Sequence, residues 1–105
     1  MLDTPRHFLA RHTIELMLEA MSWNRFNLLN WHISDAQSFP LQLRDAGAQL
    51  ARGAYMSSAT GERAVYSTDD VRALVQFAAD RGVRVVPEVD SLSHTASWSA
   101  GATAA

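Results

Sequence analysis

Apolar residues recur at Ile14, Met17, Leu18 and Met21. That i, i+3, i+4, i+7 spacing covers one face of a helix and predicts one over residues 13 to 25, with Thr13 as its N-cap. The pattern then changes. Phe26-Asn27-Leu28-Leu29-Asn30-Trp31-His32-Ile33 is too short and too continuous for another amphipathic helix, and it predicts a strand buried on both sides. Residues 34 to 66 show no clean period and contain Pro40, Gly47, Gly53 and Gly61. They predict a long excursion with a short helix or turn near 41 to 51, and an excursion of that length inside a compact domain is usually functional. Periodicity returns at Val71, Leu74, Val75 and Ala78, which predicts a helix near 69 to 81. Thr68 is its expected cap, Asp69 and Asp70 suit the positive end of the helix dipole, and Gly82 is a C-terminal stop. Val83-Arg84-Val85-Val86-Pro87-Glu88-Val89-Asp90 follows as a β-branched strand ending in acids. Residues 99 to 105 are low in complexity and are expected to be a frayed tail.

Strands alternating with helices imply right-handed βαβ units and a parallel sheet. An open doubly wound sheet and a (β/α)8 barrel both satisfy that rule. A dinucleotide-binding sheet would need a glycine-rich turn after its first strand, which the chain lacks. Polar residues gather just after each strand instead: Asp3 and Arg6, then His32 and Asp35, then Glu88, Asp90 and His94. In a barrel all three groups would meet at the C-terminal face, where barrel enzymes keep their chemistry. This convergence favours the barrel.

Composition narrows the field. A chain of 105 residues holds one domain at most, and 48 % hydrophobic with 19 % charged residues suits a globular segment. The net charge is -2, and the nine basic residues are scattered, so no patch suits a phosphate backbone and no nucleic-acid partner is expected. Without cysteine there is no disulfide and no thiolate metal site. His7 and His12 lack zinc-type spacing, and neither a metal nor a cofactor is expected. No apolar run approaches the roughly 20 residues that span a bilayer, and Met1-Leu2-Asp3-Thr4-Pro5-Arg6 lacks the layout of a secretory signal.

Three segments carry a resemblance. Leu2-Asp3-Thr4-Pro5-Arg6-His7-Phe8 resembles the Asp-Thr-x-Arg-His-aromatic motif closing the first barrel strand of glycoside hydrolase family 20, the β-N-acetylhexosaminidases. Asn27-Leu28-Leu29-Asn30-Trp31-His32-Ile33-Ser34-Asp35-Ala36-Gln37-Ser38-Phe39 resembles that family's second strand, typically Asn-x-x-His-Trp-His-x-x-Asp-Asp-x-Ser-Phe. Residues 81 to 90, followed by His94-Thr95-Ala96-Ser97-Trp98, resemble the third. The motifs run in the right order from residue 2 to about 98. The resemblance implies an α/β fold: the first three strands and two helices of a (β/α)8 TIM barrel, with residues 1–98 as the N-terminal portion of the catalytic domain. Met1 is then expected to be an internal methionine. The family's catalytic Asp-Glu pair, at the end of the fourth strand, is expected beyond residue 105. No Asp-Glu dipeptide occurs in residues 1 to 105, so this chain alone is expected to be inactive.

The implied function is hydrolysis of terminal, non-reducing N-acetylhexosamine, with the substrate's own 2-acetamido oxygen as nucleophile, an exception to the two-carboxylate scheme. Arg6 matches the arginine that holds hydroxyls of the terminal sugar, a task its fixed fork of donors suits. Asp35 matches an acid beside the general acid, and Asp90 with His94 a pair in the same supporting network. Glu88 either joins that network or closes its strand. His32 reads as a packed, hydrogen-bonded histidine, and Trp31 and Trp98 as core residues or sugar-stacking platforms. Asn30 stands where the family usually has His, Ala36 replaces the second acid of the Asp-Asp pair, and Ser91-Leu92-Ser93 replaces a turn containing Pro-Gly. These departures keep a second reading in view, a degenerate barrel that binds amino sugars or serves as structure. Lysosomal, vacuolar, periplasmic and secreted locations all fit by analogy, and a dimer is compatible.

Overall fold

The first two strands are each followed by a helix that carries the chain back to begin the next strand in the same direction, so the sheet is parallel throughout. The computed structural model describes residues 1–102. Strand β1 (Leu2–Asp3) leads to helix α1 (Arg11–Trp23) and strand β2 (Leu28–Ser34). A 3₁₀ segment (Asp45–Gly53) lies in the long excursion before helix α2 (Thr68–Ala79) and strand β3 (Arg84–Val89). A 3₁₀ turn at Ala96–Trp98 runs into the short helix α3 (Ser99–Ala102). The strand order is β1-β2-β3, both pairings parallel.

Register decides which side chains meet. Leu29 lies beside Val85, Trp31 beside Pro87 and His32 beside Glu88. Side chains alternate across a strand. Leu29, Trp31 and Ile33 therefore share one face, and they pack with Ile14 and Leu18 of α1 and Leu74 and Ala78 of α2 in a single apolar core. Both helices thus cover the same face. Asn30, His32 and Ser34 point to the other face, and a bulge between His32 and Ser34 interrupts the ladder at that end.

Several boundaries move. Helix α1 begins at Arg11, before Thr13, on an N-cap Ala10 that gives no side-chain bond. It stops at Trp23 because Arg25 turns the chain with φ 61. Strand β2 starts at Leu28, leaving Phe26 exposed outside it. Ser67, not Thr68, caps α2. Its hydroxyl accepts from the Asp70 N–H at 3.0 Å, and the Asp70 carboxylate accepts from the Ser67 N–H at 3.0 Å. This reciprocal box satisfies two otherwise orphaned donors, which a lone Thr68 hydroxyl cannot do. Gly82 ends the helix region as expected, at φ 72, with its N–H on Ala79 O. The expected tail over 99–105 is helical in Ser99–Ala102, where Gly101 lies buried with Gln49 O only 2.8 Å from where a Cβ would stand. The rest of that stretch lies outside the described residues.

Tyr66 stitches the long excursion to the core. Its hydroxyl donates to Leu9 O at 2.6 Å, and its ring stacks on Phe8 and meets Trp31 edge-on at 5.1 Å. Its N–H donates to Pro40 O and its carbonyl accepts from Gln42. Burial pushes its phenol up to about 12. Nothing local in the sequence marks this residue, because its partners are tens of positions away.

Candidate active site at the carboxyl ends of the strands

Asp35, the residue after β2, is 1 % exposed and gathers donors from three loops. Arg6, in the loop after β1, reaches it through Nη2 at 2.8 Å, while Nη1 and the backbone N–H of Arg6 bind Asp3. His94, in the loop after β3, stands with Nδ1 at 3.1 Å from Asp35 Oδ1. His32 Nε2 lies 2.8 Å from Oδ2, and the Ala36 N–H donates to Oδ1 at 2.6 Å. The Asp35 carbonyl accepts from Ser97 Oγ at 2.6 Å, which ties the two loops together. Burial alone would raise the Asp35 pKa. The bonds from His32, Ala36 and His94 and the charge of Arg6 outweigh it and hold the carboxyl down at about 2. Asp35 is therefore a fixed anion. The Arg6 guanidinium is in turn raised above its usual range, first by its bond to Asp3.

A second cluster lies behind the first on the same face. His32 Nδ1 lies 2.9 Å from Glu88 Oε1, and Asn30 Nδ2 donates to Glu88 Oε2 at 2.8 Å. Burial lowers the His32 pKa, but the bonds to Asp35 and Glu88 and the charges of Asp90 and Asp3 exceed that effect, so it is raised. Glu88 is lowered by Asn30 first and His32 second. Ligand-type atoms of His32, Glu88 and Asp90 lie within 4.8 Å of one another. Both ring nitrogens of His32 are already committed to carboxylates, so the trio reads as a hydrogen-bonded cluster. Asp90 thus meets the network at its His32–Glu88 end, and no bond joins it to His94 among the described residues.

The chain's departures from the family motifs become concrete here. Asn30 supplies an amide donor to Glu88, and Ala36 contributes its backbone N–H to Asp35. The turn without glycine puts Leu92 at φ 66 and His94 at φ 57. Left-handed angles cost a side-chain-bearing residue about 1–2 kcal/mol, yet His94 still reaches Asp35. Trp31 is core: it is buried, and its indole N–H donates to Thr4 Oγ1 at 2.9 Å. Trp98 is partly buried and meets Phe39 edge-on at 6.1 Å. The clamp from Ser97 and the contact of Asn30 with Glu88 join residues 62 and 58 positions apart, and no local pattern marks either. Glu88 is marked in the sequence only as an acid near the end of an apolar strand.

An arginine, a buried acid and a histidine thus meet at the carboxyl ends of a parallel β/α sheet. The chain matches the catalytic-domain model of glycosyl hydrolase family 20 over residues 1–105, and it belongs to that family. It is 45 % identical over 101 residues to the beta-hexosaminidase subunit beta of Sus scrofa, covering 96 % of this chain and 18 % of the relative. It is 42 % identical over 98 residues to the beta-hexosaminidase A of Caenorhabditis elegans, covering 93 % of this chain and 17 % of the relative. Among solved structures, the β-N-acetylhexosaminidase of Streptomyces coelicolor aligns with a TM-score of 0.82 at 33 % identity, over 92 % of this chain and 20 % of that one. A Streptomyces plicatus beta-hexosaminidase variant in complex with the product GlcNAc aligns at 0.81 and 30 % identity, over 92 % of this chain and 19 % of that one. The chain thus spans less than a fifth of the length of the curated relatives above.

Proposed function

We propose that these residues form the first three strands of a (β/α)8 barrel, with residues 1–98 as the N-terminal portion of the catalytic domain. We infer that the full-length protein removes terminal, non-reducing N-acetylhexosamine from glycans. The observation that carries this reading is the meeting of Arg6 and His94 on buried Asp35 at the carboxyl ends of parallel strands. An apolar groove lined by Ile33, Leu41, Val71, Val75, Val85 and Pro87 supports the barrel, because a further crossover helix would cover it.

The roles follow from the geometry. Arg6 spends Nη1 on Asp3 and Nη2 on Asp35, and its remaining N–H groups are free to meet vicinal hydroxyls of the terminal sugar. Asp35, a fixed anion at neutral pH, disfavours ionisation of any acid placed beside it and so keeps a proton donor protonated. His94 presents Nδ1 to Asp35, leaving Nε2 for the next group in the network. In this scheme the substrate's acetamide oxygen attacks and a glutamic acid protonates the leaving oxygen. Residues 1–105 hold Asp35, Asp90 and His94 as support and Arg6 as a substrate contact, without the Asp-Glu pair itself.

The compartment follows the family by analogy: lysosomal, vacuolar, periplasmic or secreted. No helix of the described residues is long and apolar enough to cross a membrane. The test is release of a chromophore from aryl N-acetyl-β-glucosaminide and galactosaminide by the full-length protein. Turnover of either supports the reading; binding of N-acetylglucosamine without turnover would establish the non-catalytic barrel. Hydrogen exchange tests the architecture, since the outward N–H groups of β3 exchange slowly only if another strand pairs with them.

A further inference from the structure

We propose that His32 is a positioning residue of this site: it stands as an imidazolium between Asp35 and Glu88, donates from both ring nitrogens, and thereby fixes the direction of the Asp35 carboxylate. The inference rests on the hydrolase reading above and adds a residue to it.

The geometry leaves little choice. Nε2 lies 2.8 Å from Asp35 Oδ2, and Nδ1 lies 2.9 Å from Glu88 Oε1. A neutral imidazole donates from one nitrogen only, so its lone pair would face a carboxylate oxygen on the other side. One extra proton must sit within the trio. Asp35 already accepts from Arg6, Ala36 and His94, and Glu88 accepts from Asn30. Donors surrounding both carboxylates favour their ionised forms, so the proton stays on the ring. Four acids face the ring: Asp35 from the loop after β2, Glu88 and Asp90 from β3 and its end, and Asp3 from β1. The cations and titratable groups on the far side of Asp35 are Arg6 and His94. The imidazolium therefore offsets an excess of negative charge.

The backbone enforces the arrangement. His32 and Glu88 are register neighbours on adjacent parallel strands, and His32 is 4 % exposed, so the sheet register holds the contact and the ring itself is shielded. Asn30 completes the device. Where the family usually carries a second histidine, this chain holds Glu88 with an amide, which does not titrate. The clamp on Asp35 then depends on the protonation of one ring. It holds at and below the usual histidine range and fails as pH rises through the raised value, when one of the two bonds must break.

The test uses the full-length protein with ¹⁵N-labelled histidine and three forms: wild type, Glu88→Gln and His32→Gln. In wild type both His32 ring nitrogens are expected to be protonated at pH 7. Glu88→Gln removes the opposing charge while preserving shape, and is expected to lower the His32 midpoint by about one pH unit or more. The alkaline limb of kcat should move down with it, with KM nearly unchanged. His32→Gln is expected to lower kcat by about 10²-fold, the cost of a misdirected catalytic group. A thermal melt of Glu88→Gln matching wild type shows that the shift is not a folding defect. A singly protonated His32 ring at pH 7 overturns the proposal, as does an alkaline limb unmoved by Glu88→Gln in an active enzyme. A wild type with no turnover overturns the hydrolase reading and the positioning role with it, while the ring signals still report the charge of His32 separately.

Discussion

Strands β2 and β3 lie side by side in one parallel sheet and are similarly apolar, yet they differ sharply in burial. Leu29, Trp31, His32, Ile33 and Ser34 of β2 are buried, whereas every residue of β3 is at least partly exposed, apolar Val89 included. The cause lies in their neighbours. β2 has β1 on one side and β3 on the other, with α1, α2 and Tyr66 over one face. Among the described residues β3 pairs with β2 alone. A parallel strand is as buried as its surroundings make it, whatever its own hydrophobicity. The same asymmetry shapes the chemistry. Asp35 at the end of β2 is enclosed and charged by design of its donors, whereas Glu88 on β3 stays partly in solvent.

Paired substitutions test this contrast most directly. Trp31→Ala should destabilise the 105-residue chain by about 3–5 kcal/mol, the usual cost of emptying a large buried aromatic site. Val89→Ala in the 105-residue chain should change stability by less than about 0.5 kcal/mol, as at other exposed positions. Urea unfolding midpoints measure both. Similar losses at the two positions would erase the distinction between the strands.

Next in size is an effect on turnover. Asp35→Ala strips four side-chain and backbone donors of their common acceptor and should lower kcat/KM of the full-length enzyme by about 10²-fold, the lower end of what general acid catalysis contributes. Steady-state kinetics on an aryl glucosaminide reads it, and a loss below tenfold would separate Asp35 from the proton donor.

The acid limb of stability should follow the same residue. Asp35 has a folded value of about 2 against an ordinary 3.8, so its contribution is fully present above the ordinary value and is lost as pH falls through about 2. Asp35→Asn should flatten the fall in melting temperature across that interval. Glu88 is also lowered, but its side chain is 41 % exposed and solvent screens it, so Glu88→Gln should alter this limb less.

The smallest effect is a gain. Leu92 is fully exposed at φ 66, where glycine carries no steric penalty. Leu92→Gly should stabilise the protein by about 1 kcal/mol, measured by thermal denaturation. A loss would mean that the Leu92 side chain supports the β3 loop in a way its exposure does not suggest.

Much of the fold was legible because its signals are local. The α1 stripe of Ile14, Met17, Leu18 and Met21 and the α2 stripe ending at Ala78 are spaced by helix geometry alone. The cap of α2 is also legible, one residue before Thr68, since Ser67-x-x-Asp70 is itself a capping-box pattern. The meeting of Arg6, Asp35 and His94 followed from their positions just after strands. The role of Asp90 did not: whether it faces His94 or the His32–Glu88 pair depends on loop path.

Element type, element order and the strand ends that bear acids were determined by the sequence itself, because helix and strand periods and glycine stops act over a few residues. The tertiary structure alone decided that Tyr66 joins Leu9, that Ser97 clamps Asp35, and that His32 lies between two carboxylates. Those contacts join residues 56 to 62 positions apart in the chain, apart from the local His32–Asp35 pair. Only the parallel register and the loop paths bring such partners within hydrogen-bond reach, and the charge of a buried ring depends on all of them at once.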